Sequence, residues 1–199
     1  MKTNTEKILS QAKKVKILRP SDLASTGVTR AAFTRLVKRG VLERVDRGLY
    51  VLAGATPSAN ISLAEACKRV PHGVVCLLSA LRFHGLTTQL PFEVWMAIDV
   101  AARKPKVKYP PLKIVRFSGA ALTYGVEKHM VEGIPVRVTS APKTVADCFK
   151  YRNKIGLDVA IEALREFKRA KRGSADDLWK AAKVCRVAAV MRPYMEAIT

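Results

Sequence analysis

The N-terminal part of the chain alternates short helical patterns with turn residues. Thr3-x-x-Glu6 is a capping-box pattern and predicts the start of a first helix. A short second helix is predicted from Ser21 to Thr26, and Gly27 suits the left-handed residue that ends a helix. Thr29 is then expected to cap a third helix that runs to about Arg39, with Gly40 ending it.

Two strand-like runs follow the third helix. Residues 41–45 and 49–52 are β-prone, and they flank the short turn Asp46-Arg47-Gly48. Three short helices followed by a β-hairpin are typical of a winged helix-turn-helix. The pattern therefore predicts a DNA-binding domain of this type over residues 1–54.

The rest of the chain mixes strands and helices. Residues 53–61 are small and turn-prone, which is typical of a linker, and residues 62–199 are expected to form a second, α+β domain with a small sheet and a helical C-terminus. Its predicted elements are a helix opened by the capping box Ser62-x-x-Glu65 and ending near Pro71, a helix from Val74 to His84 stopped by Gly85, strands at Phe92–Val100 and Lys113–Phe117, a hairpin of residues 126–131 and 134–139, and helices from Ser140 onward.

The third helix has two chemically different faces. Phe33, Leu36 and Val37 share one side at helical spacing and are expected to face the core. Since such a helix normally enters the major groove, its other residues become candidates for DNA contact. We favour Arg30, Thr34 and Arg35 for base reading, and Lys38 and Arg39 for phosphate contact. The predicted DNA-binding residues on the helix are Thr29, Arg30, Thr34, Arg35, Lys38 and Arg39.

The hairpin adds two cations to this set. Arg44 and Arg47 lie at or next to its turn, where a wing commonly reaches the DNA backbone or the minor groove. The alternative is that all these cations form an ordinary solvated surface. The agreement of the short helix, the Gly27 stop and the hairpin favours DNA binding.

The net charge of the chain also favours a nucleic-acid partner. The formal net charge is +20 and the pI is about 10.2, while 49% hydrophobic residues are enough to build cores. Such a surplus favours an anionic partner, first nucleic acid and second an anionic membrane surface, although a surplus kept for solubility is also possible. Residues 1–54 carry +8 and the remainder carries +12, so charge alone does not identify the DNA-reading part.

A basic, proline-bearing loop lies between the two predicted strands of the second domain. Its cations, Arg103, Lys104, Lys106 and Lys108, either extend the contact along the DNA backbone or form a solvated loop.

Motifs that suggest catalysis have structural explanations. Ser140-x-x-Lys143 lacks the companion motifs of acyl-transfer enzymes, and Ser140 before Pro142 predicts a helix start. Ser174-x-x-Asp177 is a helix-capping box, and Glu166-x-Lys168 lies on an amphipathic helix. The three histidines lack metal-ligand spacing, and the sequence has no glycine-rich phosphate loop. We expect no enzymatic activity, no metal and no cofactor.

Cysteine usage indicates a reducing compartment. The four cysteines contain no C-x-x-C pair, and we expect them to be small buried hydrophobes. The first residues lack the apolar core of a signal peptide, and the longest apolar run is short of the ~20 residues that span a bilayer. We therefore expect a soluble, cytoplasmic protein.

Several segments together resemble the AbiEi-type antitoxins of type IV toxin–antitoxin systems. In the first domain these are residues 27–30 (Gly-Val-Thr-Arg), 36–40 (Leu-Val-Lys-Arg-Gly) and 47–50 (Arg-Gly-Leu-Tyr). In the second domain they are Ser79–Thr87 and Lys143–Phe149. The resemblance runs across nearly the whole chain and is more specific in the middle than in the N-terminal module.

The resemblance implies a transcriptional regulator that represses its own operon by binding inverted repeats in double-stranded DNA. It also implies an antitoxin role for the C-terminal domain, against a nucleotidyltransferase-like toxin and without a stable complex with it. The alternatives are a solitary winged-helix regulator, a protein-interaction adaptor, or an enzyme or RNA-directed effector that uses the N-terminal module for targeting. The residues themselves support only the DNA-binding half.

Overall fold

The computed structural model describes residues 3–15, 17–46, 48–54, 60–107 and 109–197. Its contacts divide the chain into two compact units. Unit 1 contains Met1–Glu65 and Met130–Pro135, and unit 2 contains Ala66–His129 and Val136–Thr199. The predicted domain ranges, 1–54 and 62–199, stay a prediction.

Unit 1 begins with three short helices and a two-stranded sheet. They are helix α1 (Asn4–Lys14), a 3₁₀ helix (Pro20–Thr26), helix α2 (Arg30–Lys38), and the antiparallel strands β1 (Leu42–Asp46) and β2 (Leu49–Leu52). The capping box is present at the start of α1, where the Thr3 hydroxyl accepts from the Glu6 backbone N–H and the Glu6 carboxylate accepts from that of Thr3. Gly27 and Gly40 follow their helices at φ +76° and +68°, conformations that glycine adopts without steric cost.

One apolar cluster holds these elements together. Burying apolar side chains from every element is what stabilises helices too short to persist alone in water. The buried members are Ile8, Ala12, Leu18, Leu23, Val28, Ala32, Phe33, Leu36, Leu42 and Tyr50.

The remaining elements include a five-stranded sheet and further helices. The helices are α3 (Ile61–Arg69), α4 (Leu77–His84), α5 (Ala120–Thr123), α6 (Ala141–Lys150), α7 (Arg152–Ile155), α8 (Leu157–Arg169), α9 (Ala175–Val184) and α10 (Ala188–Ala197). The strands are β3 (Val74–Val75), β4 (Val94–Asp99), β5 (Leu112–Phe117), β6 (Val126–Val131) and β7 (Ile134–Thr139).

The sheet has the strand order β5-β4-β3-β7-β6. Strand β3 is antiparallel to β4 and parallel to β7, while β4 and β5 are parallel. Helix α6 packs against α4, α8, α9 and α10, and nearly all of its side chains are buried. The chain is therefore α+β, as predicted.

Two predicted helix starts are wrong. The helix expected at Ser62 begins at Ile61, because the carbonyl oxygen of Asn60 accepts from the backbone N–H groups of Leu63 and Ala64 at 3.0 and 3.3 Å. Asn60, a favourable residue before a helix, therefore precedes the first turn.

The helix predicted from Val74 begins only at Leu77. Val74 and Val75 instead form strand β3, whose hydrogen bonds come from β4 and β7. A short, continuous apolar run does not distinguish a buried strand from a buried helix by periodicity. The predicted stop at Gly85 is confirmed, at φ +67°.

Candidate nucleic-acid interface

Helix α2 separates its apolar and polar residues cleanly. Ala32, Phe33 and Leu36 are buried, and Val37 is half-buried against the same cluster. The opposite arc is exposed to solvent, and it carries all six candidate residues. These are Thr29, Arg30, Thr34, Arg35, Lys38 and Arg39.

The hydroxyl groups of the two threonines on this arc make different local contacts. Thr29 lies at the N-cap position with an extended backbone, but its side chain makes no capping hydrogen bond, so the predicted cap is wrong in that respect. The Thr34 hydroxyl donates to the carbonyl oxygen of Arg30 at 3.2 Å. The Thr34 oxygen keeps lone pairs that are able to accept a further hydrogen bond.

Arg44 of β1 is exposed and pairs with Tyr50 of β2. The pairing is irregular between Arg44 and Asp46, which is a β-bulge position just before the turn. Arg47, the other predicted wing cation, lies outside the described residues.

Tyr50 connects the wing to two other elements of unit 1. Its backbone exchanges two hydrogen bonds with Leu18, at 2.8 and 3.0 Å, just before the 3₁₀ helix. Its ring lies 4.9 Å from the ring of Phe33, on the buried face of α2. The wing, the 3₁₀ helix and α2 are thus held in one arrangement by a single buried side chain and its backbone.

Two clefts flank the exposed arc of α2. The first, which we call the arginine cleft, has a volume of about 450 Å³ and is lined by Arg19, Pro20, Ser21, Arg30, Arg44, Gly48 and Tyr50. The second has a volume of about 230 Å³ and is lined by Thr3, Asn4, Thr5, Ala32, Arg35, Leu36 and Arg39. Each cleft therefore brings at least two cations together beside the helix.

The basic loop of unit 2 is anchored at its base. Arg103, Lys104 and Lys106 are exposed, whereas Lys108 lies outside the described residues. The guanidinium of Arg116 donates to the carbonyl oxygens of Asp99 and Val100, at 2.9 and 3.0 Å, and to that of Ala102. These bonds hold the start of the loop against β5, and Arg103, Lys104 and Lys106 are exposed to solvent.

The suspected catalytic motifs have structural roles. Ser140 precedes α6, and the ammonium group of Lys143 donates to both carboxylate oxygens of Asp147 at 2.5 and 2.6 Å, with Lys143 fully buried. Ser174 and Asp177 form the predicted capping box of α9. Glu166 forms an ion pair with Arg169 on the surface of α8.

All four cysteines are free and buried. Burial raises the pKa of each thiol, to about 11 for Cys67 and about 12 for Cys185. These thiols stay protonated at neutral pH, and a protonated thiol is neither a strong nucleophile nor a good metal ligand. Among the described residues, no cluster of histidine, cysteine or acidic side chains is arranged to hold a metal ion.

Sequence reasoning missed two features. Arg19 was not a candidate, because its approach to Arg30 and Arg44 depends on the bridge between Leu18 and Tyr50. The Lys143–Asp147 pair was not recognised either, although its i, i+4 spacing inside an apolar helix was a signal.

None of the helices in the described part of the chain has the length and apolar character needed to cross a bilayer.

The fold is similar to that of the crystal structure of the RV2827C protein from Mycobacterium tuberculosis. The two share 13% sequence identity, the match covers 98% of this chain and 82% of that chain, and the TM-score is 0.58. No curated protein matches this chain. At this level of identity the likeness shows the fold alone.

The N-terminal elements have a clearer relative. Residues 6–53 comprise nearly all of α1, the 3₁₀ helix, α2 and the β1–β2 hairpin, and they match the family model described as "Transcriptional regulator, AbiEi antitoxin". The N-terminal part of this chain is therefore similar to the AbiEi antitoxin transcriptional regulators.

Proposed function

We propose that this protein is a DNA-binding transcriptional autorepressor that acts as the antitoxin of a type IV toxin–antitoxin system. The observation that carries the DNA-binding part is the division of α2 into a buried apolar face and an exposed arc of four cations and two threonines. The family match over residues 6–53 supports the regulatory role.

In this proposal α2 lies in the major groove of an operator. An α-helix with its side chains is about 10–12 Å wide, and the groove is about 12 Å wide. Arg30, Thr34 and Arg35 face the base edges near the start of the helix, with Thr29 beside them, while Lys38 and Arg39 contact phosphates. From the hairpin, Arg44 and Arg47 reach the neighbouring backbone or minor groove.

In this proposal, transcription is repressed because the protein occupies the operator. A protein bound upstream of its own gene excludes the transcription machinery, and inverted repeats let two copies bind symmetrically. In unit 2, Arg103, Lys104, Lys106 and Lys108 are proposed to add contacts with the DNA backbone. The antitoxin role is proposed for the C-terminal region, against a nucleotidyltransferase-like toxin with which it forms no stable complex.

Footprinting of the full chain on the DNA upstream of its own gene tests the central claim. We expect protection over repeated half-sites. Arg35→Ala should weaken binding to that site by about 1–3 kcal/mol and relax the base preference at one position.

Lys13→Ala is the matched control, because Lys13 is an exposed cation of unit 1 that lies outside both clefts. We expect it to change affinity much less and to leave the base preference intact. Equal effects of the two variants would remove Arg35 from base reading, and a wild-type protein that binds no duplex would refute the proposed function.

The loop of unit 2 is tested by salt dependence. Replacing its four cations with glutamine should reduce the slope of log K against log salt by about 0.9 for each phosphate that the loop no longer neutralises. An unaltered slope would show that these cations stay in solvent when DNA is bound.

The toxin partner is tested in the gene neighbourhood and in cells. We expect an adjacent gene for a nucleotidyltransferase-like protein, growth rescue when the two are co-expressed, and separate elution of the two proteins. If no such gene is adjacent and the chain still binds its own upstream DNA, the solitary-regulator alternative is favoured instead.

A further inference from the structure

The arginine cleft brings together cations from three different elements. Arg19 precedes the 3₁₀ helix, Arg30 is the first residue of α2, and Arg44 belongs to β1. Ser21 adds a hydroxyl group to the lining. The described lining residues thus include three arginines and no aspartate or glutamate.

Tyr50 explains why three arginines far apart in sequence meet here. It pairs with Arg44 across the hairpin, and its backbone bonds to Leu18 hold the next residue, Arg19, beside the wing. The contact of its ring with Phe33 fixes the first turn of α2, which carries Arg30. A further hydrogen bond, from the Arg19 backbone N–H to the Asp22 carboxylate at 2.9 Å, holds the backbone at the start of the 3₁₀ helix.

Convergent guanidinium groups suit an anion with several oxygens. Each guanidinium presents planar pairs of N–H donors that match phosphate oxygens, often in a bidentate manner. The half-open cleft next to the first turn of α2 is accessible to a polymer backbone.

We propose that the arginine cleft binds one phosphodiester group of the DNA backbone through Arg19 and Arg44, with Arg19 as a phosphate contact in addition to those of α2 and the wing, while Arg30 at the edge of the cleft remains directed to the bases. This assignment rests on the proposed DNA-binding function. A contact of this kind adds affinity for every duplex and positions α2 in the groove without reading a base.

The test uses the full chain, two duplexes of about two helical turns each, and fluorescence anisotropy at several salt concentrations. One duplex comes from upstream of the gene, and the other has mixed sequence. Arg19→Gln and Arg44→Gln should each lower the salt slope by about 0.9 and reduce affinity for both duplexes by the same factor. Over a tenfold change in salt, the ratio of wild-type to variant affinity should change roughly eightfold.

Lys13→Gln is the control, since it removes the same charge from an exposed position of unit 1 outside the cleft. Its slope should stay close to that of the wild type. The Arg19→Gln variant keeps the backbone bond to Asp22, and an unchanged midpoint of thermal unfolding shows that it is folded.

The outcomes separate this inference from the proposed function. If the wild type binds DNA but Arg19→Gln and Arg44→Gln behave like Lys13→Gln, the cleft assignment is overturned and the DNA-binding function stands. A second result would also overturn the cleft assignment. In that result, inorganic phosphate raises the thermal midpoint of the wild type but not of Arg19→Gln, and the salt slopes for DNA binding are the same for both proteins. The cleft would then bind a free anion and not the DNA backbone. If the wild type binds neither duplex, both proposals fail.

Discussion

The buried ion pair of α6 gives the sharpest stability prediction. Lys143 and Asp147 have side-chain exposures of 0% and 3%, and the ammonium nitrogen lies 2.5 Å from one carboxylate oxygen. Their surroundings add the ring of Phe117, 4.8 Å from the ammonium nitrogen, and the thiol of Cys185, which donates to Asp147 at 3.2 Å. Each charge is thus satisfied by the other and has little access to water.

Removing one partner leaves the other charge buried. We expect Lys143→Met to lower the free energy of unfolding of unit 2 by about 3–5 kcal/mol, because the Asp147 carboxylate loses its counter-charge. Asp147→Leu should cost a similar amount for the converse reason. Replacing both residues removes the desolvation penalty together with the attraction, so the double variant should lie close to the wild type or above it.

Urea unfolding followed by tryptophan fluorescence measures these effects, because both tryptophans, Trp95 and Trp179, lie in unit 2. With an m-value of about 1–3 kcal/mol per molar urea, each single variant should lower the midpoint by roughly 1–5 M. The control is the surface pair Glu166–Arg169, which has the same 2.5 Å separation but an Arg169 side chain that is 77% exposed. Glu166→Gln should change the midpoint little, since water screens an exposed pair.

The reasoning about burial would be refuted by either of two results. One is a Lys143→Met variant no less stable than Glu166→Gln. The other is a double variant whose loss of stability equals the sum of the two single losses, since that would show that the residues do not stabilise each other.

Three further predictions concern other parts of the molecule. Phe33→Ala should destabilise unit 1 by about 3–5 kcal/mol, seen as faster amide exchange in α2, and should weaken DNA binding although no cation is removed; exchange unchanged from the wild type would contradict this. Gly27→Ala should cost about 1–2 kcal/mol from backbone strain alone, because φ is +76° and the space around the added methyl group is open; a thermal midpoint equal to the wild type's would argue against it. Burial lowers the pKa of His84 below its ordinary 6.5, and its Nε2 donates to the Thr139 carbonyl at 2.7 Å. Its contribution to stability is therefore present above 6.5 and lost as pH falls through the lowered pKa, so His84→Asn should flatten the fall in urea midpoint between about pH 7 and pH 5.

The N-terminal domain was predictable because its determinants are local. A capping box, two glycine stops and an amphipathic run are each read within a few residues of sequence, and they specified α1, the ends of the next two helices and the buried face of α2. The hairpin followed from β-prone runs around a glycine-containing turn. The exposure of the candidate cations on α2 is a direct consequence of burying Phe33 and Leu36.

Features that depend on distant partners were decided only by the tertiary structure. Val74 and Val75 form a strand because β4 and β7 supply hydrogen bonds that no local pattern reveals. The Lys143–Asp147 pair is buried because α4, α8 and α9 surround α6, whereas the similar spacing of Glu166 and Arg169 gives only a surface pair. Arg19 joins Arg30 and Arg44 because a bridge between Leu18 and Tyr50 closes a loop of chain. Local sequence specifies which conformations each segment prefers, but which side chains meet, and whether water reaches them, is determined by contacts between residues far apart in the chain.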